Sequence, residues 1–172
     1  MTIRFDGVND YLSSTGYGGS LFSIGSNFTI STWISPTALT AGIQYICSRG
    51  QATNFFNYEI YFQGSNISMA FDNGPINLGT GIVKNNEWQN CVMTCAGSPG
   101  STIFYYNGSL ITNQSSRLLI TTTNKQLLIG AQENGAAIGS FFNGQINDFR
   151  FYNTIKSAQY IKDYYNHTKR FY

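Results

Sequence analysis

Hydrophobic and polar residues alternate with a period of two over most of this chain, the spacing of half-buried β-strands. "TIRFD" sets Ile3 and Phe5 against Arg4, and "NFTISTWIS" places Phe28, Ile30 and Ile34 on one face. "YEIYF" puts Tyr58, Ile60 and Phe62 inward and Glu59 outward. "NISMAFD" does the same with Ile67, Met69 and Phe71, leaving Ser68 and Asp72 toward water. "NCVMTC" gives Cys91, Met93 and Cys95 one face, and "TIFYY" and "QLLIG" continue the pattern. Turn signals separate the runs at Asp6-Gly7, Gly64-Ser65, Asn73-Gly74, Asn107-Gly108 and Asn143-Gly144. Asn107-Gly108 is the strongest, because a two-residue type I′ hairpin needs positive φ at both positions. One segment has helical spacing. Ser157 can cap it, and Tyr160, Ile161, Tyr164 and Tyr165 then share a face that should lie on a sandwich edge. The pattern predicts one all-β domain over residues 1–172. Its architecture is a two-sheet antiparallel β-sandwich or jelly roll with one short C-terminal helix.

The stretch "FFNGQINDFRFYN" breaks the alternation. Ile146, Asp148, Arg150 and Tyr152 fall on one parity, and Asn147, Phe149 and Phe151 on the other. A strand covered on both sides loses its alternation, and Asp148 and Arg150 at i and i+2 are then placed to form a partly covered ion pair.

Composition narrows the function. The chain is 42% hydrophobic and 16% aromatic, with only 10% charged residues. Its net charge is +2 with the basic residues scattered, whereas a nucleic-acid binder concentrates them on one face. No run approaches the roughly 20 apolar residues of a membrane span, and "MTIRFDG" lacks the pattern of an export signal. Cys47, Cys91 and Cys95 read as buried thiols, since two cysteines four residues apart on one strand are too distant to bond. Zinc would need a fourth ligand, and the one histidine, His167, lies in the C-terminal tail.

Catalysis is not expected. Glycoside hydrolysis ordinarily needs two carboxylates about 5–9 Å apart, and the chain has no pair of acids at i and i+2 or i+4 on one strand. A serine or cysteine nucleophile would want a histidine base. "GYGG" at Gly16 to Gly19 lacks the lysine of a phosphate loop. Binding is better supported. Trp33 lies on the polar face of its run, either covered by a loop or exposed as a flat platform, and Tyr61 and Phe104 pose the same question. Such a platform flanked by amides suits a sugar ring or a protein partner. The aromatic C-terminal residues Tyr164, Tyr165, Phe171 and Tyr172 are interface candidates. Phe171 and Tyr172 are expected to pack on a neighbour or back on the sandwich.

"IRFDGVNDYL", "FTISTWISP", "ICSRG", "FYYNGSLI", "LLIGA" and "FFNGQINDFRFYNTIKSAQYI" follow one another in an order that resembles the laminin-G-like branch of the concanavalin A-like lectin/glucanase superfamily. The resemblance spans Ile3 to about Tyr165 and implies a jelly roll whose first and last strands pair. It also raises calcium as a cofactor, with Asp6, Asp10 and Asp148 as the candidate ligands, although a calcium cage wants six to eight oxygens and the chain holds eight acids in all. The expected function is a non-catalytic attachment module on a virion surface, a capsid decoration or tail-associated protein. It would bind neighbouring proteins and also glycans, without nucleic acid or membrane insertion. The alternative is a carbohydrate-binding, lectin-like module at a cell surface or in the extracellular space.

Overall fold

The structure is a computed structural model describing residues 2–14, 27–51, 55–71, 74–97, 100–117, 126–135 and 137–172. The expectations for Gly16 to Gly19, Asp72 and Asn73 lie outside the described residues. Among these residues fourteen strands follow in chain order. They are β1 (Thr2–Asp6), β2 (Leu12–Ser13), β3 (Asn27–Pro36), β4 (Ile43–Gln51), β5 (Phe55–Gln63), β6 (Asn66–Phe71) and β7 (Gly74–Gly79), then β8 (Gln89–Ala96), β9 (Gly100–Tyr106), β10 (Ser109–Arg117), β11 (Leu127–Ile129), β12 (Gln132–Asn134), β13 (Ala137–Gly139) and β14 (Asn143–Tyr152). A helix α1 (Ala158–Thr168) and a 3₁₀ turn at Lys169–Phe171 close the chain.

The strands form two sheets. A six-stranded sheet runs β1-β14-β3-β8-β9-β10. An eight-stranded sheet runs β13-β12-β4-β5-β6-β7, with β11 on β4 and β2 on β11. Apart from one parallel bridge between β12 and β4, the pairings are antiparallel. The first and last strands pair, from Thr2 opposite Asn147 to Asp6 opposite Asn143. This is a jelly-roll β-sandwich, and the alternation explains it. Phe28, Ile30 and Ile34 of β3 and Cys91, Met93 and Cys95 of β8 meet Tyr58, Ile60, Phe62, Ile67, Met69 and Phe71 of β5 and β6 in one core. Each large side chain removed from water there contributes roughly 1.5–3 kcal/mol. All three cysteines are buried and free. Asn107 at φ 50° and Gly108 at φ 73° make the expected hairpin between β9 and β10.

Asn143 and Gly144 open β14, and one detail of that strand differs from expectation. The broken alternation of that strand comes from a β-bulge, where the register with β3 shifts between Asn147 and Arg150 and Asp148 adopts φ 51°. One extra residue flips the parity. Ile146 faces the core before the bulge, and Phe149 and Phe151 face it afterwards. Asp148 and Arg150 are thereby left on the outer side, where the guanidinium meets the carboxylate at 2.6 and 3.0 Å.

Helix α1 starts where the sequence indicates, with the Ser157 side chain accepting from the Tyr160 N–H. It does not lie on an edge. Ile161 packs with Val92 and Tyr105 on the outer face of the six-stranded sheet. Tyr165 stacks on Trp33 at 5.6 Å, and Tyr172 stacks on it at 4.3 Å. A hydrophobic stripe needs an apolar surface, and the middle of this face offers one where the rim does not.

Candidate functional site

Helix α1 settles the role of Trp33. At 2% exposure, beneath Tyr165 and Tyr172, the indole is the floor of a packed layer and not a platform for a ligand. Phe104 is corrected too. Its position on β9 opposite Met93 turns it into the core, with 0% of its surface exposed. Tyr61 alone among the three ligand candidates stays half-exposed, on the outer face of the eight-stranded sheet.

That face assembles from register. Cross-strand partners project to the same side, and Tyr45 of β4 pairs with Tyr61 of β5, Tyr61 with Ser68 of β6, and Ser68 with Asn77 of β7. Four polar or aromatic side chains thus stand in a row across four strands, roughly 14 Å at the usual strand spacing. The Tyr45 and Tyr61 rings lie 5.2 Å apart at 42°. Asn77 is exposed, and its carbonyl accepts from the Gly79 N–H at 3.0 Å.

The adjoining row holds Glu59 between Ser48 and Ala70. Glu59 is not turned to water as its alternation suggests, being 2% exposed. Its carboxylate accepts from the Gln132 amide at 2.5 Å and has the Tyr45 phenol as a polar neighbour. Burial pushes the Glu59 carboxyl from its ordinary 4.5 up to about 7, although Gln132 and Tyr45 pull it down. Burial likewise raises the Tyr45 phenol, reinforced by the Glu59 charge. Near neutral pH this carboxyl is therefore divided between an acceptor-only and a donating form. Ser48, fully buried, fixes the neighbouring backbone by donating to the Ala131 carbonyl at 2.9 Å.

Sequence reasoning found Tyr61 but missed Tyr45, Glu59, Asn77 and Gln132. Glu59 and Gln132 are 73 positions apart, and only the placement of β12 beside β4 joins them. Ring contacts and burial within one strand carry no signal of that kind.

The other candidates go elsewhere. Asp148 is held by Arg150 and by the Tyr164 hydroxyl, so Tyr164 anchors the helix to β14. Burial would raise the Asp148 carboxyl, but the bonds from Arg150 and Tyr164 prevail and lower it. Asp6 accepts from the Val8 and Asn9 N–H groups at 2.7 and 3.1 Å, which lower its pKa, and Asp10 accepts from the Asp6 N–H. These three acids do not fit a calcium cage. Asp148 is committed to a cation, and among the described residues no group of three or more His, Cys, Asp or Glu side chains could hold a metal. Tyr165 and Tyr172 pack back on Trp33, while Phe171 stays 66% exposed. An apolar cleft of about 400 Å³ opens between β11 and β14, lined by Leu127, Ile129, Phe149 and Phe151. Its polar lining among the described residues is limited to Ser13 and Ser14.

A family model described as the concanavalin A-like lectin/glucanases superfamily matches residues 6–162. The chain belongs to this family. No curated protein sequence matches it. Solved structures share its fold at low identity. A heptameric SAP-like pentraxin from Limulus polyphemus aligns over 94% of this chain and 79% of its own, at 14% identity and a TM-score of 0.71. A Ruminococcus gnavus sialidase module, CBM40, bound to α2,3-sialyllactose aligns over 94% and 96%, at 15% identity and a TM-score of 0.70. The binding domain of botulinum neurotoxin serotype D aligns over 97% of this chain at 16% identity and a TM-score of 0.70, but this chain spans only 42% of it. No helix among the described residues is long and apolar enough to cross a membrane.

Proposed function

We propose that this lectin-like domain is a non-catalytic carbohydrate-binding module, with the sugar held on the outer face of the eight-stranded sheet. The carrying observation is the row Tyr45, Tyr61, Ser68 and Asn77 beside the hydrogen-bonded Glu59 and Gln132. A sugar ring has an apolar face and a rim of hydroxyls. Tyr61 offers the flat apolar surface, and the hydroxyl and amide of Ser68 and Asn77 offer both donors and acceptors at its side. The fold supports a glycan reading, since the CBM40 neighbour is bound to a sialylated sugar. Hydrolysis would need a second carboxylate across the bond, whereas Glu59 has Ser48 and Ala70 as its cross-strand neighbours.

A glycan array with the intact chain and with Tyr61→Ala tests this. Binding should fall at least tenfold in Tyr61→Ala and stay unchanged in Phe171→Ala, with or without chelator. A silent array, or equal binding by Tyr61→Ala, would contradict the reading. The finer placement on a virion surface, as a capsid decoration or tail-associated protein, rests on composition. Immunoblots of purified particles test it, and protein confined to the soluble cell fraction would sink it.

A further inference from the structure

We infer that the saccharide taken by this face is uncharged, so that the domain discriminates against glycans capped with sialic acid or sulfate. The inference rests on the sugar-binding reading of the face and adds its ligand class.

The charges decide it. An anionic sugar brings a carboxylate or sulfate that must leave water, and such a group is tolerated only where a cation or several donors replace its hydration. Of the lysines and arginines whose side chains the structure describes, none projects from this face. Arg49, on β4, pairs with Tyr58 and so shares the core-facing side. Arg4 and Arg150 belong to β1 and β14 of the other sheet, and Lys84 lies in the loop after β7. Lys156, Lys162, Lys169 and Arg170 flank or belong to α1 and its 3₁₀ turn, on the outer side of the six-stranded sheet.

What the face does hold is one carboxyl. The groups facing Glu59 are the Tyr45 hydroxyl from β4 and the Gln132 amide from β12, both uncharged. From β5 and β6, Tyr61 and Ala70 bring no charge of their own at neutral pH. In its ionised form Glu59, two residues from Tyr61 on the same strand face, is a negative charge with no described cation beside it, and a second anion there would be repelled. Neutral hydroxyls meet the opposite situation. They can exchange hydrogen bonds with the Tyr61 and Ser68 hydroxyls and the Asn77 amide, and they carry no charge to desolvate.

Matched pairs separate this inference from the reading beneath it. Neutral oligosaccharides, and the same oligosaccharides capped with sialic acid or sulfate, are arrayed against the intact chain, and the best pair is titrated by calorimetry at pH 8. The neutral member should bind at least tenfold tighter. Glu59→Gln should narrow that ratio, and so should lowering the pH to 5.5, where Glu59 takes its proton. Equal or tighter binding of the capped member, lost in Tyr61→Ala, would overturn the neutral class while leaving the sugar site standing. Silence toward both members would overturn the site and the inference together.

Discussion

Glu59→Gln removes a buried titration and should reshape the dependence of stability on pH. The folded carboxyl titrates at about 7 against 4.5 in the unfolded chain. Between those values the folded state holds the proton more tightly, so stability is greatest at and below pH 4.5 and falls as pH rises toward 7. Above that the effect is constant. At about 1.4 kcal/mol per pH unit, the gap amounts to roughly 3 kcal/mol lost by pH 8. Glutamine carries no proton to lose. Other carboxylates contribute a background common to both proteins, so the informative quantity is the difference between them. Urea denaturation from pH 4.5 to 8.5, extrapolated linearly, should show the variant gaining on the parent by about 2–3 kcal/mol across that range, with unchanged m-values. Parallel curves, within ~0.5 kcal/mol at every pH, would show that Glu59 is solvated and that the buried network with Tyr45 and Gln132 does not form.

Four further outcomes follow from the packing. Trp33→Ala should cost about 3–5 kcal/mol by urea denaturation, and truncation after Thr168, which removes Tyr172 from the indole, about 1–3 kcal/mol with a red-shifted tryptophan emission. An unshifted spectrum would place the tail away from Trp33. Asp148→Asn should cost only about 1 kcal/mol, because the pair with Arg150 is partly exposed and screened. That cost should shrink in 1 M NaCl and as pH falls through the lowered Asp148 pKa, and a cost independent of both would point to packing alone. Gly108→Ala should destabilise the β9–β10 hairpin by more than 1 kcal/mol, since φ is 73° and a Cβ would meet Tyr165 at 2.9 Å. An unchanged melting temperature would contradict that contact.

The sandwich was legible because inward residues such as Ile60, Met69 and Met93 obey a local rule of period two. Asn107-Gly108 and Ser157 likewise act through their own backbone. The bulge at Asp148 was harder to see, because Asp-Phe-Arg carries no mark of an inserted residue beyond the broken alternation itself. Long-range placement was legible only where the family resemblance supplied it, in the pairing of β1 with β14. Phe104 and Tyr61 look alike in sequence, yet one is swallowed by the core and the other left on the surface by the strands that flank them. Trp33 owes its burial to a helix more than a hundred residues later, and Glu59 owes its perturbed carboxyl to Gln132. Burial of a polar face depends on what covers it, and the cover is set by topology.

Amide chemical-shift mapping of the labelled chain with the best neutral glycan from the array tests the central claim most directly. The account predicts that the largest changes fall on Tyr61, Ser68 and Asn77 and vanish in Tyr61→Ala. Changes centred on α1 and Trp33, or on the cleft beside Phe149 and Phe151, would contradict it.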